Sequence, residues 1–225
     1  MSTIAPSRAA AALFAVPRPA AVAPRPLRPA GTPLRVVALA LSRTTRMAAQ
    51  ASAVARRLAR LGPDVDVVGG SAHCCTPAQA CRLLGTDADL LYACGHHCCD
   101  PVQPQFLGLD LRTASWAFPS ITAPALVLDT CYGAEDDLLG AIAAARPRQL
   151  PPAVVFTTDA GKIAPFSHDV LFRPLLQAAL TGGRPACWQQ RLEDAMAQAR
   201  ASKELQSHTL RDWDRWGVHQ VQGTR

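Results

Sequence analysis

The sequence predicts a three-layer α/β/α domain built on a mostly parallel central sheet. Three observations predict it: apolar runs of strand length recur between residues 34 and 222, several of them have no polar alternation, and segments of helical period separate them. Strands buried on both faces read as continuous apolar runs, and their alternation with helices marks parallel crossover connections.

Residues 1–33 are an Ala/Pro/Arg segment with no sustained period, where closely spaced prolines oppose helix and ladder alike, so a disordered N-terminal segment is expected. Residues 34–225 form the expected domain. "LRVVALALS" (34–42) is the first strand. Met47, Ala51, Val54, Leu58 and Leu61 follow at steps of four and three, one face of a helix ended by Gly62-Pro63. "VDVV" (65–68) is a short strand. Thr76 can cap "PAQACRLL", with Pro77 at its first position, and "DLLYAC" (89–94) is a further buried strand. "ALVLDT" (125–130) precedes the helix "EDDLLGAIAAAR", which has acids at its positive end and Arg146 at its negative end. "AVVFTT" (153–158), helices over about 168–180 and 185–204, and "WGVHQVQ" (216–222) complete the order.

Composition narrows the function. Residues 1–63 hold ten arginines and no acid, whereas the remainder is net −4, so the overall +6 is a property of one arm. Its arginines are spread among Ala and Pro without interleaved aromatics, so nucleic acid is not an expected partner. Without eighteen consecutive apolar residues, no membrane span is expected either. The 21 Arg against 2 Lys fit a GC-rich bacterial source, and a cytoplasmic location follows as the expectation. There the eight cysteines should be mostly reduced thiols, and the vicinal pairs Cys74-Cys75 and Cys98-Cys99 make poor disulfides.

Two strand ends carry chemistry. Strand 89–94 ends in Gly95-His96-His97, and strand 125–130 in Asp129-Thr130-Cys131-Tyr132-Gly133. In a parallel sheet both open at the same edge, where functional groups gather. If the strands are neighbours, a histidine faces a cysteine, as a thiol nucleophile and its proton-transfer partner require. Cys131 would also lie just before a helix, whose N–H groups favour a thiolate; Glu135, Asp136 and Asp137 oppose that with similar strength.

These motifs resemble a family. "LYACGHH" is similar to the His-Gly strand motif, and "LVLDTCYG" to the cysteine strand motif, of the caspase-like peptidases, clan CD. "WDRWGVHQVQG" looks like the terminal Trp-bearing strand of their bacterial CHAT-domain members. The likeness runs in order over roughly residues 34–222. It implies a caspase-like fold and a cysteine endopeptidase needing no metal or organic cofactor. It further implies His96 as the catalytic histidine, Cys131 as the nucleophile, and oxyanion donors at Cys131 and around Gly95, His97 and Gly133. Asp129, two residues before the cysteine, would select Arg or Lys, the side chains a buried carboxylate discriminates best. The partners implied are a peptide or protein substrate and a regulatory protein.

The sequence departs from the family at His97, where Gly is usual. Either His97 itself is the catalytic residue, or the loop differs, or the site is degenerate and the domain is a silent scaffold. Plainer roles stand beside the catalytic ones: Cys131 as a small buried hydrophobe, His96 as a core histidine, Asp129 as a helix cap or a partner of Arg. His168 falls in a strand-to-helix loop that lines the cleft in the family, although capping by Ser167 explains it as well. "HCC" (73–75) and "HHCC" (96–99) lack the paired spacing of zinc knuckles, so a zinc-binding module ranks third. Cys74, Cys75, Cys81 and Cys187 are expected as packing or exposed thiols, and Trp188, Trp213 and Trp216 as packing anchors.

Overall fold

The computed structural model describes residues 32–40, 45–70, 77–95, 105–106, 109–110, 121–131, 133–134, 136–159, 173–182, 184–201 and 215–224. Strands β1 (Leu34–Ala40), β2 (Val65–Gly69), β3 (Leu90–Cys94), β6 (Ala125–Asp129), β7 (Ala153–Thr158) and β8 (Trp216–Val221) form one sheet in the order β2-β1-β3-β6-β7-β8. The first five run parallel, and β8 pairs antiparallel with β7. A separate antiparallel pair joins β4 (Gln105–Phe106) to β5 (Leu109–Asp110).

Side-chain alternation splits the core in two. Leu34, Val36 and Ala38 of β1, Leu90, Tyr92 and Cys94 of β3, and Ala125 and Val127 of β6 face one layer. That layer is built from α1 (Thr45–Leu58), α4 (Arg173–Leu180) and α5 (Trp188–Ala201). The intervening residues, among them Val37, Leu39, Leu91, Ala93, Leu126 and Leu128, face α2 (Pro77–Leu84) and α3 (Asp136–Ala145). Strands covered on both faces must be apolar at every position, which is why β1, β3, β6 and β7 read as unbroken runs. The three-layer, mostly parallel architecture is therefore the one the sequence predicts.

The last strand contributes its tryptophan to packing, since Trp216 is buried and stacks on Phe156 with ring centroids 5.4 Å apart. Trp188 is likewise buried; Trp213 lies outside the described residues. Arg146, just past α3, is also buried. Its guanidinium donates to the carbonyls of Ile121, Ala123 and Pro151 at 2.8–3.3 Å, which fixes the loops leading into β6 and β7. At the opposite edge of the sheet from the expected site, Asp89 accepts from Arg184 and from the Arg35 N–H.

Some expectations shift. Leu61 was placed on the buried face of the first helix, yet it is exposed. The helix tightens into a 3-10 turn over Ala59–Leu61, and three residues per turn rotate Leu61 off the 3.6-period stripe. Gly62 then ends the element at φ +115°, as a glycine there should. The helix expected from about 185 begins at Trp188, and α3 begins at Asp136. Thr76, the N-terminal segment through residue 31, residues 168–172 and residues 202–204 lie outside the described residues. None of the described helices is long and apolar enough to cross a membrane.

Candidate active site

Strands β3 and β6 are parallel neighbours, and their registers end together with Cys94 opposite Asp129. The ladder closes with the Gly95 N–H donating to the Asp129 carbonyl at 3.2 Å. One strand therefore leads directly into His96 and the other into Thr130 and Cys131, at the carboxyl edge of the sheet. The neighbour relation on which the cysteine-histidine pairing depends is present. His96 and His97 lie outside the described residues, as do Tyr132, Glu135 and His168.

Cys131 is half-buried in a turn. Thr130 Oγ1 donates to its carbonyl at 3.3 Å, and two residues later Gly133 is pressed against β7. A Cβ at Gly133 would stand 1.9 Å from Thr157 Oγ1, so close approach, not backbone conformation, requires glycine there. The Ala134 N–H donates to the Thr158 carbonyl at 2.9 Å. This turn separates Cys131 from α3, which opens only at Asp136. The helix expected from Glu135 opens one residue later, so the thiol lies just before it as expected, on a turn pinned to the adjacent strand.

Asp129 is 2% exposed and shares the α1 side of the sheet with Tyr92 and Cys94. Its Oδ2 accepts from the Tyr92 hydroxyl at 2.5 Å and from Gln50 Nε2, and Gln50 Nε2 also reaches the Tyr92 hydroxyl at 3.2 Å. Burial pushes the Tyr92 phenol well above its ordinary pKa, and the neighbouring Asp129 charge and Cys94 thiol raise it further. The phenol thus stays protonated and donates. The Tyr92 hydroxyl is a short-range donor to a buried carboxyl oxygen.

Tyr92 and Gln50 were not singled out from the sequence. Each left a trace. A tyrosine in a fully buried strand needs a partner for its hydroxyl, and Gln50 sits beside Ala51 on the inward stripe of α1.

Cys187 is an exposed thiol, as expected, and Cys94 is buried in the core. Among the described residues no three His, Cys, Asp or Glu side chains gather as a metal set; His73, Cys74, Cys75, Cys98 and Cys99 lie outside them. A groove of about 580 Å³ runs between α4 and α5, lined by Gln177, Arg191 and Asp194 among others. It includes none of the candidate catalytic residues.

The strand order, with β8 antiparallel at one edge and helices on both faces, matches the caspase-like α/β fold. No family model matches the chain, and no curated protein matches it. Among solved structures the chain is similar to the Arg-specific cysteine proteinase gingipain R, with a TM-score of 0.51 and 11% sequence identity. The likeness covers 84% of this chain and 46% of that one, so the chain spans under half of gingipain R. The likeness is one of fold.

Proposed function

We propose that the chain is a cysteine endopeptidase of the caspase-like, CHAT-domain type that cleaves after Arg or Lys. The observation that carries the proposal is the shared ending of β3 and β6, which brings the segment entering His96 beside the turn holding Cys131. In this reading the Cys131 sulfur attacks the scissile carbonyl carbon, and the C–N bond breaks as His96 delivers a proton to the leaving amine. Water then hydrolyses the thioester, releasing the new carboxylate and restoring the thiol. The Gly95 N–H is committed to the sheet, so the oxyanion donors fall to the Cys131 N–H and to the loop after Gly95, including His97. Asp129 supplies the negative charge that selects a basic side chain. The substrate is a peptide or protein, the compartment the bacterial cytoplasm, and a regulatory protein partner controls access.

Hydrolysis of fluorogenic Arg and Lys peptides tests this. Cys131→Ala should lose roughly 10⁴-fold in kcat/KM or more; full activity in that variant removes Cys131 from the mechanism. A second reading is a silent caspase-like scaffold that binds a protein, and two features favour it: the burial of Asp129 and the presence of His97 where Gly is usual. Alkylation separates the two. Exposure alone directs a thiol reagent to Cys187 before half-buried Cys131, so preferential labelling of Cys131 marks an activated nucleophile, and labelling in order of exposure marks the scaffold.

A further inference from the structure

We infer that Tyr92 and Gln50 are positioning residues for substrate selection: they hold the Asp129 carboxylate in the orientation in which it receives the basic side chain of the substrate. This rests on the proposed peptidase reading and deepens it.

The three residues come from three separate elements, β3, α1 and β6, and converge on one carboxylate oxygen. A carboxylate that is 2% exposed is costly to keep charged without compensation. Tyr92 and Gln50 supply that compensation through two donors on Oδ2, one at 2.5 Å. The bond between Gln50 and the Tyr92 hydroxyl at 3.2 Å closes the triangle, so neither donor can turn away without breaking a second contact. Both donors come from the core side, the buried strand β3 and the inward stripe of α1. Asp129 itself ends β6, immediately before the segment that carries Cys131.

The arrangement does two things. It fixes the plane of the carboxylate, on which a two-pronged contact with a guanidinium depends. It also sets the carboxyl group before substrate arrives, so the contact forms on a prepared acceptor. Neither donor touches the reacting carbonyl. Both act through Asp129, and their effect belongs in binding and discrimination, not in bond cleavage.

The experiment is a double-mutant cycle on the full chain, with peptides that differ only in Arg, Lys or Ala before the scissile bond. Tyr92→Phe keeps the ring and removes the donor. It should raise KM for the Arg peptide about tenfold, the scale of one hydrogen bond to a charged group, with kcat little changed. The Arg-over-Ala preference should fall by the same factor. Gln50→Leu, at a half-buried helix position, should act in the same direction and serves if Tyr92→Phe melts early.

In an Asp129→Ala background neither substitution should alter KM or selectivity further, because the residue they act through is gone. Additive losses in that background, or single variants with unchanged Arg-over-Ala preference, overturn the inference while leaving a Cys131-dependent peptidase intact. A wild type that cleaves none of the peptides overturns the peptidase reading, and the inference with it.

Discussion

Gly133→Ala places one methyl group where the fold has no space for it. The new Cβ would lie 1.9 Å from Thr157 Oγ1, 3.1 Å from Thr130 Cγ2 and 3.2 Å from Thr157 Cβ. Carbon-oxygen contact needs about 3.5 Å, so the shortfall at the hydroxyl is about 1.6 Å. Thr157 cannot yield cheaply. It is fully buried, and its hydroxyl donates to the Leu128 carbonyl at 3.2 Å, so swinging the oxygen aside forfeits that bond and still leaves the Cβ contact tight.

Overpacking of this kind costs about 1–3 kcal/mol, and the lost buried hydrogen bond adds about 1 kcal/mol. A total near 3 kcal/mol corresponds to a melting temperature lower by roughly 6–12 °C for a domain of this size. If the turn relieves the clash by moving, Cys131 moves with it, and a displacement of about 1 Å costs on the order of 10²-fold in rate. Thermal melting and peptide hydrolysis read the two components. Thr157→Ala removes the offending oxygen, so Gly133→Ala combined with Thr157→Ala should be less destabilised than the two single variants summed. An unchanged melting temperature and kcat/KM in Gly133→Ala, or strict additivity in the double variant, would refute the reasoning.

Two further outcomes follow from the buried phenol and from the proposed specificity. Because folding raises the Tyr92 pKa, the folded state holds the phenolic proton after the unfolded chain has released it. The stability linked to Tyr92 is therefore complete below about pH 10 and declines above it, by at most about 1.4 kcal/mol per pH unit. Denaturation measured across alkaline pH should show that decline, and Tyr92→Phe should flatten it; an unaltered slope contradicts the assignment. An Arg-directed peptidase also meets its own arginines. Arg18, Arg25 and Arg28 each precede proline, whereas Arg8 precedes alanine. Proline bonds offer a ring in place of an N–H. Mass spectrometry of long-incubated wild type should find cleavage after Arg8 and none at the three Arg-Pro bonds, and cutting at Arg18-Pro19 would count against the proposed site.

The strands were legible because burial on both faces leaves a one-dimensional trace. "LRVVALA", "LLYAC", "ALVLD" and "AVVFTT" each match a strand to within two residues of the expected bounds. Their spatial order left no such trace, since parallel crossovers can place a strand on either side of the growing sheet. The β4–β5 pair was missed for a different reason: two residues per strand are too few to show a period. Leu61 misled because the 3-10 turn changes the repeat without changing composition.

At the site, strand-end position pointed to Cys131, and the family resemblance added Asp129. Gln50 and Tyr92 left only faint traces, because their contact with Asp129 forms only where three elements meet. A glutamine in an alanine-rich helix looks solvated until its partner 79 positions away is known.

Residues 215–224 brace the Cys131 turn from outside. Six residues of β8 pair along β7, Thr158 Oγ1 bonds the Arg215 carbonyl at 3.0 Å, and Arg215 pairs with Asp159 at 2.8 Å. The same β7 residues, Thr157 and Thr158, receive Gly133 and Ala134. Farther along, the Thr224 N–H donates to the Ala143 carbonyl near the end of α3, the helix that follows Cys131. Some ninety residues past the thiol, this stretch clamps both the strand its turn leans on and the helix it leads into. Anything that lifts β8 from the sheet therefore loosens the Cys131 turn from two sides, which makes the edge strand a lever on that turn.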